Sequence, residues 1–401
     1  MTLFADSAAD DRMCTLRATL GGARGWLAGL DARIVRLQVR LAEIPAPTGG
    51  ERRRAEFVAR AFRRAGCANV SIDAAGNVRA ERPGAERAAP AVVCAHLDTV
   101  FPDGTACTVR HDGPRLVGPG IGDNGRGLAV MLAVANALAD PRIALRRPLL
   151  FAATVAEEGD GDLRGAKHLF ASLPEPPAAA IAIDGPGDDR IVHHAAGARR
   201  LRITFTGPGG HSWSAYGSPN PIHAAADAAT RLAAWGSGAR GRTTLSVTRI
   251  GGGVAVNAIP EQAWLDVDCR SLDASALDDA ERAVARAATA AASAENGRRA
   301  AWAPALSASM ARIGDRPCGV TPASAAIVRQ AGAATRAIGR VPVAAAASTD
   351  ANVPLSLGIP SIAIGAGGTG GGAHTPDEWY DNTAGALGVE RALLIVAGAA
   401  T

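Results

Sequence analysis

The stretch RPLLFAATVAEEGDGDLRGAKHLFASL, Arg147 to Leu173, holds a strand, an acidic turn and a helix in succession. Its apolar run LLFAATVA has the length of a buried strand, and the segment after the Gly-Asp repeats has helical spacing. Strand, turn and helix in that order form the repeating unit of an α/β sheet. The turn poses a question, because Glu157 and Glu158 are adjacent. Neighbouring strand residues point to opposite faces and like charges repel, so the two glutamates are expected to do different things.

The same texture continues on both sides. PAVVCAHL reads as a strand, GRGLAVMLAVANALAD as a helix and AAAIAID as a strand, while Leu27 to Arg64 is helical apart from EIPAPTGGE, where Pro45 and Pro47 force a loop. This alternation predicts a mixed, largely parallel sheet flanked by helices. Near Arg199 the pattern changes: RRLRITFTG, TTLSVTRIGGG and AWLDVDCR alternate like half-exposed strands around the helices NPIHAAADAATRLAAW and Ser275 to about Asn296, as in a small α+β domain. From about Gly314 the helix PASAAIVRQAGAATRAI, the strand IPSIAIG and the helix AGALGVERALLIVAGA restore the first texture. The expectation is a catalytic domain built from residues 1–197 and 314–401, with a smaller α+β domain, 198–313, inserted into it.

Composition narrows the function classes. A chain of 401 residues exceeds one core at about 150 residues per domain. No segment approaches the roughly 20 uninterrupted apolar residues that span a bilayer, and the N-terminal stretch MTLFADSAADDRMCTL lacks a signal-peptide core. A soluble cytoplasmic protein with no membrane partner is therefore expected. The formal charge is +4, and of 42 basic residues only Lys167 is a lysine. The basic runs ERRRAEF and RRAGCANV read as solvated helix faces, so no nucleic-acid partner is expected. Cys14, Cys67, Cys94, Cys107, Cys269 and Cys318 form no CxxC pair and read as reduced thiols.

Sites in open α/β sheets gather at the carboxyl ends of the strands. His96 and Asp98 follow PAVVCA, Asp123 lies in GPGIGDNGRG, Glu157 and Glu158 follow LLFAATVA, Asp184 follows AAAIAI, and His374 sits in GAGGTGGGAHTPDE. Each alone has an ordinary explanation as a helix cap, a turn residue or a surface histidine. Together they do not, because carboxylates clustered without cations are driven to the neutral form; a bound metal pair removes that objection. In His-x-Asp the two residues share a strand face, so Asp98 can orient His96 as a ligand. One glutamate can then bind metal while the other moves a proton. The glycine-rich runs lack the Lys-Ser/Thr ending of a phosphate loop.

The segments AHLDTVFP, GPGIGDNGRG, VAEEGDGD, AIDGPG, GPGGHSW, VNAIPEQAWLDVDCR, STDAN and AHTPDEWYD resemble, in order from about Ile44 to His374, the M20 family of dinuclear zinc metallopeptidases and aminoacylases. The resemblance implies two divalent ions per subunit: zinc, with manganese or cobalt as alternatives. It implies that His96, Asp123 and Asp184 hold one ion and Asp123, Glu158 and His374 the other, with Asp123 bridging. Glu157 would be the general base toward the water between the metals, Asp98 would support His96, and the Asp123–Asn124 bond would be a non-proline cis peptide. The inserted domain would act as a lid and as the contact of a homodimer, through an exposed strand edge or the helix from Pro221 to Trp235.

In dimeric members His211 would reach the partner subunit's site, and Asn257 and Arg270 would bind substrate. Arginine suits bidentate capture of a carboxylate, although a salt bridge to Asp266 or Asp268 on its own strand is the competing expectation for Arg270. His111, His168, His193, His194 and His223 match no ligand position and read as structural or surface residues. The implied reaction is hydrolysis of an amide bond in a small-molecule substrate, either a short peptide or an N-acyl amino acid. A catalytically silent relative kept as a binding protein is the alternative, which the loss of the base or of a ligand would favour; none is missing.

Overall fold

The computed structural model describes Phe4, residues 6–235 and residues 243–401. Met1, Thr2, Leu3 and Ala5 of the stretch read above for a leader, and residues 236–242 of the inserted segment, lie outside the described residues. The chain forms two compact units, Met1–Ala195 with Gly319–Thr401, and Ala196–Cys318.

In the first unit the apolar runs become the middle of a nine-stranded sheet. Leu149–Thr154, Ala91–His96, Ala179–Ile183 and Ser361–Ile364 lie side by side in that order, all parallel. Every residue in these four strands is buried, as a sheet covered on both faces requires. Antiparallel neighbours make the sheet mixed: Val78–Arg82 and Ala68–Ile72 on one side, Arg190–Ala195 and Gly319–Val320 on the other. Alternate residues then feed two separate cores. Val93, Ala95, Phe151, Ile181 and Ile362 pack with the helices Asp31–Ala42, Arg52–Arg64, Gly125–Ala137, Ala326–Ala337 and Gly385–Ala400. Val92, Cys94, Leu150, Ala152, Ala180 and Ala182 pack with the helix Arg164–Ala171.

The second unit is a four-stranded antiparallel sheet in the order Thr244–Gly252, Gln262–Ser271, Gly197–Thr206, Ser307–Arg316. Leu201, Ile203 and Phe205 alternate onto one face with Leu265 and Val267, against the helices Pro221–Ala233 and Ala274–Arg298. Several elements have no counterpart in the sequence reading, the strands Ala68–Ile72, Val78–Arg82 and Arg190–Ala195 among them; two more bear on the reading directly. Ser307–Arg316 runs across the point where the first texture seemed to resume, and an N-terminal helix, Ser7–Thr19, is capped by Asp6. No helix among the described residues is long and apolar enough to cross a membrane.

One expectation is overturned inside ERRRAEF, the run read as a solvated face. Arg54 is 1% exposed and points inward, donating from Nη2 to the Ile44 carbonyl at 2.6 Å and from Nη1 to the Leu97 carbonyl at 2.7 Å. An arginine is tolerated in a core when its donors are met, and here main-chain carbonyls meet them. Leu97 lies between His96 and Asp98, so Arg54 ties the helix Arg52–Arg64 to the loop that carries both. Arg54→Met leaves these buried carbonyls without donors, at about 1–3 kcal/mol each. Urea denaturation should show unfolding free energy reduced by about 3 kcal/mol; an unchanged midpoint would contradict the role given to Arg54.

Candidate metal centre

The site grows from the carboxyl ends of the parallel strands. His96 ends its strand and Asp98 follows; Glu157 and Glu158 come three and four residues after Thr154; Asp184 follows Ile183 directly. Asp123 arrives from the turn before the helix Gly125–Ala137, and its bond to Asn124 is cis, the isomer the resemblance implies. His374 comes from the loop between the short strands Thr369–Gly371 and Trp379–Asp381, which belong to a separate four-stranded sheet. Ala156 and His374 take left-handed backbone angles, φ +53° and +66°, a region non-glycine residues enter sparingly and where the chain turns sharply.

Three groups of side chains each offer ligand atoms that all lie within 4.8 Å of one another: His96, Asp123 and Asp184; Asp123, Glu158 and His374; and His96, Glu157 and Glu158. Asp123 turns its two oxygens in different directions. Oδ1 lies 2.9 Å from His96 Nε2, and Oδ2 lies 3.3 Å from His374 Nε2. His374 Nε2 is also 3.1 Å from Glu158 Oε1, and His96 Nε2 is 3.6 Å from Asp184 Oδ1. The other ring nitrogen of His96 faces Asp98, 3.1 Å from its carbonyl and 3.5 Å from its carboxylate. Asp98 does more than face His96: its carboxylate accepts the N–H groups of Glu157 and Glu158, both at 3.0 Å, and the Thr48 hydroxyl at 2.9 Å.

Charge follows geometry. Burial opposes a proton on His96, but hydrogen bonds to Asp123, Asp184 and Asp98 outweigh it and hold the imidazole well above its ordinary range. Hydrogen bonds to Asp123 and Glu158 push His374 up to about 10. Burial works against ionised Asp123, yet His374 and His96 hold it well below the usual carboxylate range. Both histidines thus act as cations among carboxylates. A donor set of imidazole nitrogens and carboxylate oxygens, balanced by protons that a metal can displace, fits divalent cations.

His211, Asn257 and Arg270 lie in the second unit. His211 is exposed, accepts the Trp213 N–H on Nδ1 at 3.1 Å, and pairs with Ala258 in a two-residue ladder that also brings the Asn257 carbonyl to the Ser212 N–H at 2.9 Å. Arg270 donates from Nε to Asp268 at 2.7 Å, the salt bridge named as the competing expectation.

Three buried carboxylates of the first unit, next to the ligand groups, carry no mark in the sequence reading. Glu51 accepts the Ala156 N–H at 3.0 Å just before the glutamate pair. Asp350 accepts the hydroxyl of Thr154, the strand partner of His96, at 2.5 Å; burial is the main cause that pushes it up to about 6. Glu378 accepts the N–H groups of Gly120, Gly122 and Asp123 at 2.9, 2.7 and 2.7 Å. The runs GGE, STDAN and HTPDE contain them, but an inward-facing glutamate has the same letter as a surface one.

The family described as Peptidase family M20/M25/M40 matches residues 92–397. A putative succinyl-diaminopimelate desuccinylase of Mycobacterium tuberculosis is 30% identical over 243 residues, 59% of this chain and 67% of that protein. Among solved structures, a tripeptidase from Staphylococcus aureus is 22% identical over 92% of this chain and 98% of its own, with a TM-score of 0.75. A dinuclear metal-binding peptidase of the M20 family from Bacillus subtilis is 18% identical over 93% and 99%, with a TM-score of 0.68.

The charge pattern is directly measurable. In chelator-treated protein, NMR titration of the His374 ring should give a midpoint near 10, and Glu158→Gln should move it back toward the ordinary imidazole value of about 6.5. A wild-type midpoint at that ordinary value would show that the two carboxylates do not hold the ring as described.

Proposed function

The chain belongs to peptidase family M20/M25/M40 and is a metallohydrolase, and from that premise we propose that it hydrolyses the amide bond of a short peptide or an N-acyl amino acid. The observation that carries the reading is the placing of Glu157 beside His96 and Glu158, at the edge of two further ligand groups that share Asp123. His96, Asp123 and Asp184 would hold one divalent cation, and Asp123, Glu158 and His374 the other, Asp123 giving one oxygen to each. Zinc suits these donors, and manganese or cobalt would also fit. When bound, such ions polarise the scissile carbonyl and acidify water at the site.

The chain's own residues do the rest. Of the paired glutamates, Glu158 is the one hydrogen-bonded to His374, which supports Glu158 as ligand and Glu157 as general base. Glu157 takes the proton of the attacking water and passes it to the leaving nitrogen. Asp98 holds the N–H groups of both glutamates and so fixes their positions relative to His96. Asn257 and Arg270 are proposed to bind substrate. Among the described residues only Nε of Arg270 is engaged, leaving its terminal nitrogens for a substrate carboxylate. This favours substrates that carry a free carboxylate; the mycobacterial relative is named for a succinyl-diaminopimelate substrate.

Release of amino groups from a panel of dipeptides, tripeptides and N-acyl amino acids tests this. Metal-loaded protein should cleave some members, chelation should abolish cleavage, and Glu157→Gln should lower kcat by about 10²- to 10⁴-fold. Arg270→Ala should raise KM for carboxylate-bearing members more than it lowers kcat. Cleavage that survives Glu157→Gln would overturn the choice of base, and a metal-loaded protein that cleaves nothing would favour a binding protein.

We also propose a homodimer through the inserted unit, with His211 serving the partner subunit's site. Support comes from the edge strand Thr244–Gly252, whose Ile250 is exposed, and from Trp213 and Val254, 86% and 97% exposed. An open strand edge with exposed apolar side chains favours pairing. All six cysteines are free, which fits the reducing cytoplasm we propose as its location. Light scattering should give twice the 40.5 kDa chain mass, and Ile250→Asp should shift it toward the monomer. A monomeric mass for fully active wild type would remove the trans role of His211.

A further inference from the structure

The geometry points to Glu378 as a positioning residue that fixes how Asp123 faces both metal sites, and with it the affinity of the site containing His374. Asp123 can serve two ions only if Oδ1 stays toward His96 while Oδ2 stays toward His374. That demands a fixed main chain at residue 123. On its C-terminal side the main chain is held by Asn124, whose amide donates to the Ile183 carbonyl at 2.9 Å and whose Oδ1 accepts the Gly127 N–H at 3.1 Å. On its N-terminal side two side chains hold the loop: the Gln38 amide donates to the Ile121 carbonyl at 2.8 Å, and Glu378 makes the larger share, its one carboxylate accepting the three N–H groups of Gly120, Gly122 and Asp123.

The contact is built closely. Glu378 is 2% exposed, and a Cβ placed on Gly122 would lie 3.0 Å from its Oε1 and 3.0 Å from Pro186. The main chain of Glu378 joins in, its carbonyl accepting the Gly118 N–H at 2.8 Å, and the strand it opens, Trp379–Asp381, pairs with Arg115–Val117 just before the loop. A second carboxylate held against the backbone of Asp123 adds repulsion, so its retention there favours geometry over stability. Glu378 also lies four residues after His374. It therefore ties the bridging aspartate to the segment carrying the one ligand that does not come from the central sheet or from the turn of Asp123. His96 and Asp184 are set by their own strands. Loss of Glu378 should consequently weaken the Asp123, Glu158, His374 site and largely spare the other.

This inference rests on the metallohydrolase reading, and zinc binding separates the two. Purified metal-free protein is titrated with zinc against a chromophoric chelator, wild type beside Glu378→Gln, and apo-protein melting is followed in parallel. Glutamine keeps the shape but presents an amide N–H where an acceptor is needed. Wild type should bind two zinc ions. In Glu378→Gln one of the two classes should lose about 10- to 100-fold in affinity, the range for residues that orient ligands, while the other changes by less than about threefold. Gly122→Ala, which keeps Glu378 but crowds its Oε1 and Pro186 with a Cβ at 3.0 Å, should shift the affinities in the same direction and serves if the glutamine variant does not fold. Glu295→Gln, at a buried carboxylate that accepts the Asn220 N–H in the second unit, should leave both affinities unchanged. Two unchanged affinities in Glu378→Gln would overturn the proposal, as would equal loss at both sites with a lowered apo melting temperature. Wild type that binds no zinc would instead overturn the metallohydrolase reading itself.

Discussion

Repulsion among carboxylates is the constraint the first unit is built around. Asp98, Asp123, Glu157, Glu158 and Asp184 converge at one sheet end, with Asp350 and Glu378 buried close behind. In a chain with 41 arginines the simplest remedy would be guanidinium partners, and the second unit uses it: Asp266 is held by Arg202 and Arg249, and Asp268 by Arg200 and Arg270. At the site, among the described residues, the ion pairs of Asp98, Asp123, Glu158 and Asp184 are all with histidine. The difference is chemical. An arginine cannot give up its proton in a protein and would occupy the site permanently, whereas an imidazolium can lose its proton and become a ligand. The cationic partners of these carboxylates are thus groups that a metal can replace.

Cations are present nearby but are spent on carbonyls. Arg54 donates to Ile44 and Leu97; Arg126, also buried, donates to Ala366 and Gly385. Burial lowers Arg54 to about 10, still charged near neutrality. Both arginines stiffen loops next to the site without contacting its carboxylates. The remaining negative charge is met by main-chain N–H groups, delivered to Asp98, Glu51 and Glu378. Dipoles of that kind fix position without adding a competing cation.

What the sequence made legible follows from these same forces. Buried parallel strands are continuous apolar runs, so LLFAATVA, PAVVCA and AAAIAI stand out, and a polar residue directly after such a run is marked by position alone. His96, Asp98, Glu157, Glu158 and Asp184 could be read in that way, whereas Asp123 and His374 stand in glycine-rich loops and gained their roles through the resemblance. Glu378, Glu51 and Asp350 could not, because their role lies in which N–H or hydroxyl they accept, a tertiary fact with no local pattern. Arg54 misled for the same reason: its neighbours Arg52 and Arg53 are exposed, and one-letter spacing does not show that the third arginine turns inward. Arg270 was legible only as a pair of alternatives, since Asp268, two residues away on its strand, was in reach from the start.

The proton balance also sets how the metal-free protein responds to pH. His374 has a folded-state value near 10, raised by its carboxylates, against about 6.5 when unfolded. A raised value contributes stability that is fully present below about 6.5 and is lost as pH climbs through 10. Because the His374 side chain is 54% exposed, solvent screens much of this, and the effect is small in size but definite in sign. Metal binding runs the other way, since each imidazole must shed its proton to coordinate. Protons and metal therefore compete for the same role. At low pH the cluster is held together by imidazolium charge, at high pH by cations if they are supplied, and at high pH without metal the carboxylates have least to hold them. In the metal-free protein the two histidines therefore carry part of the positive charge that bound cations would otherwise supply.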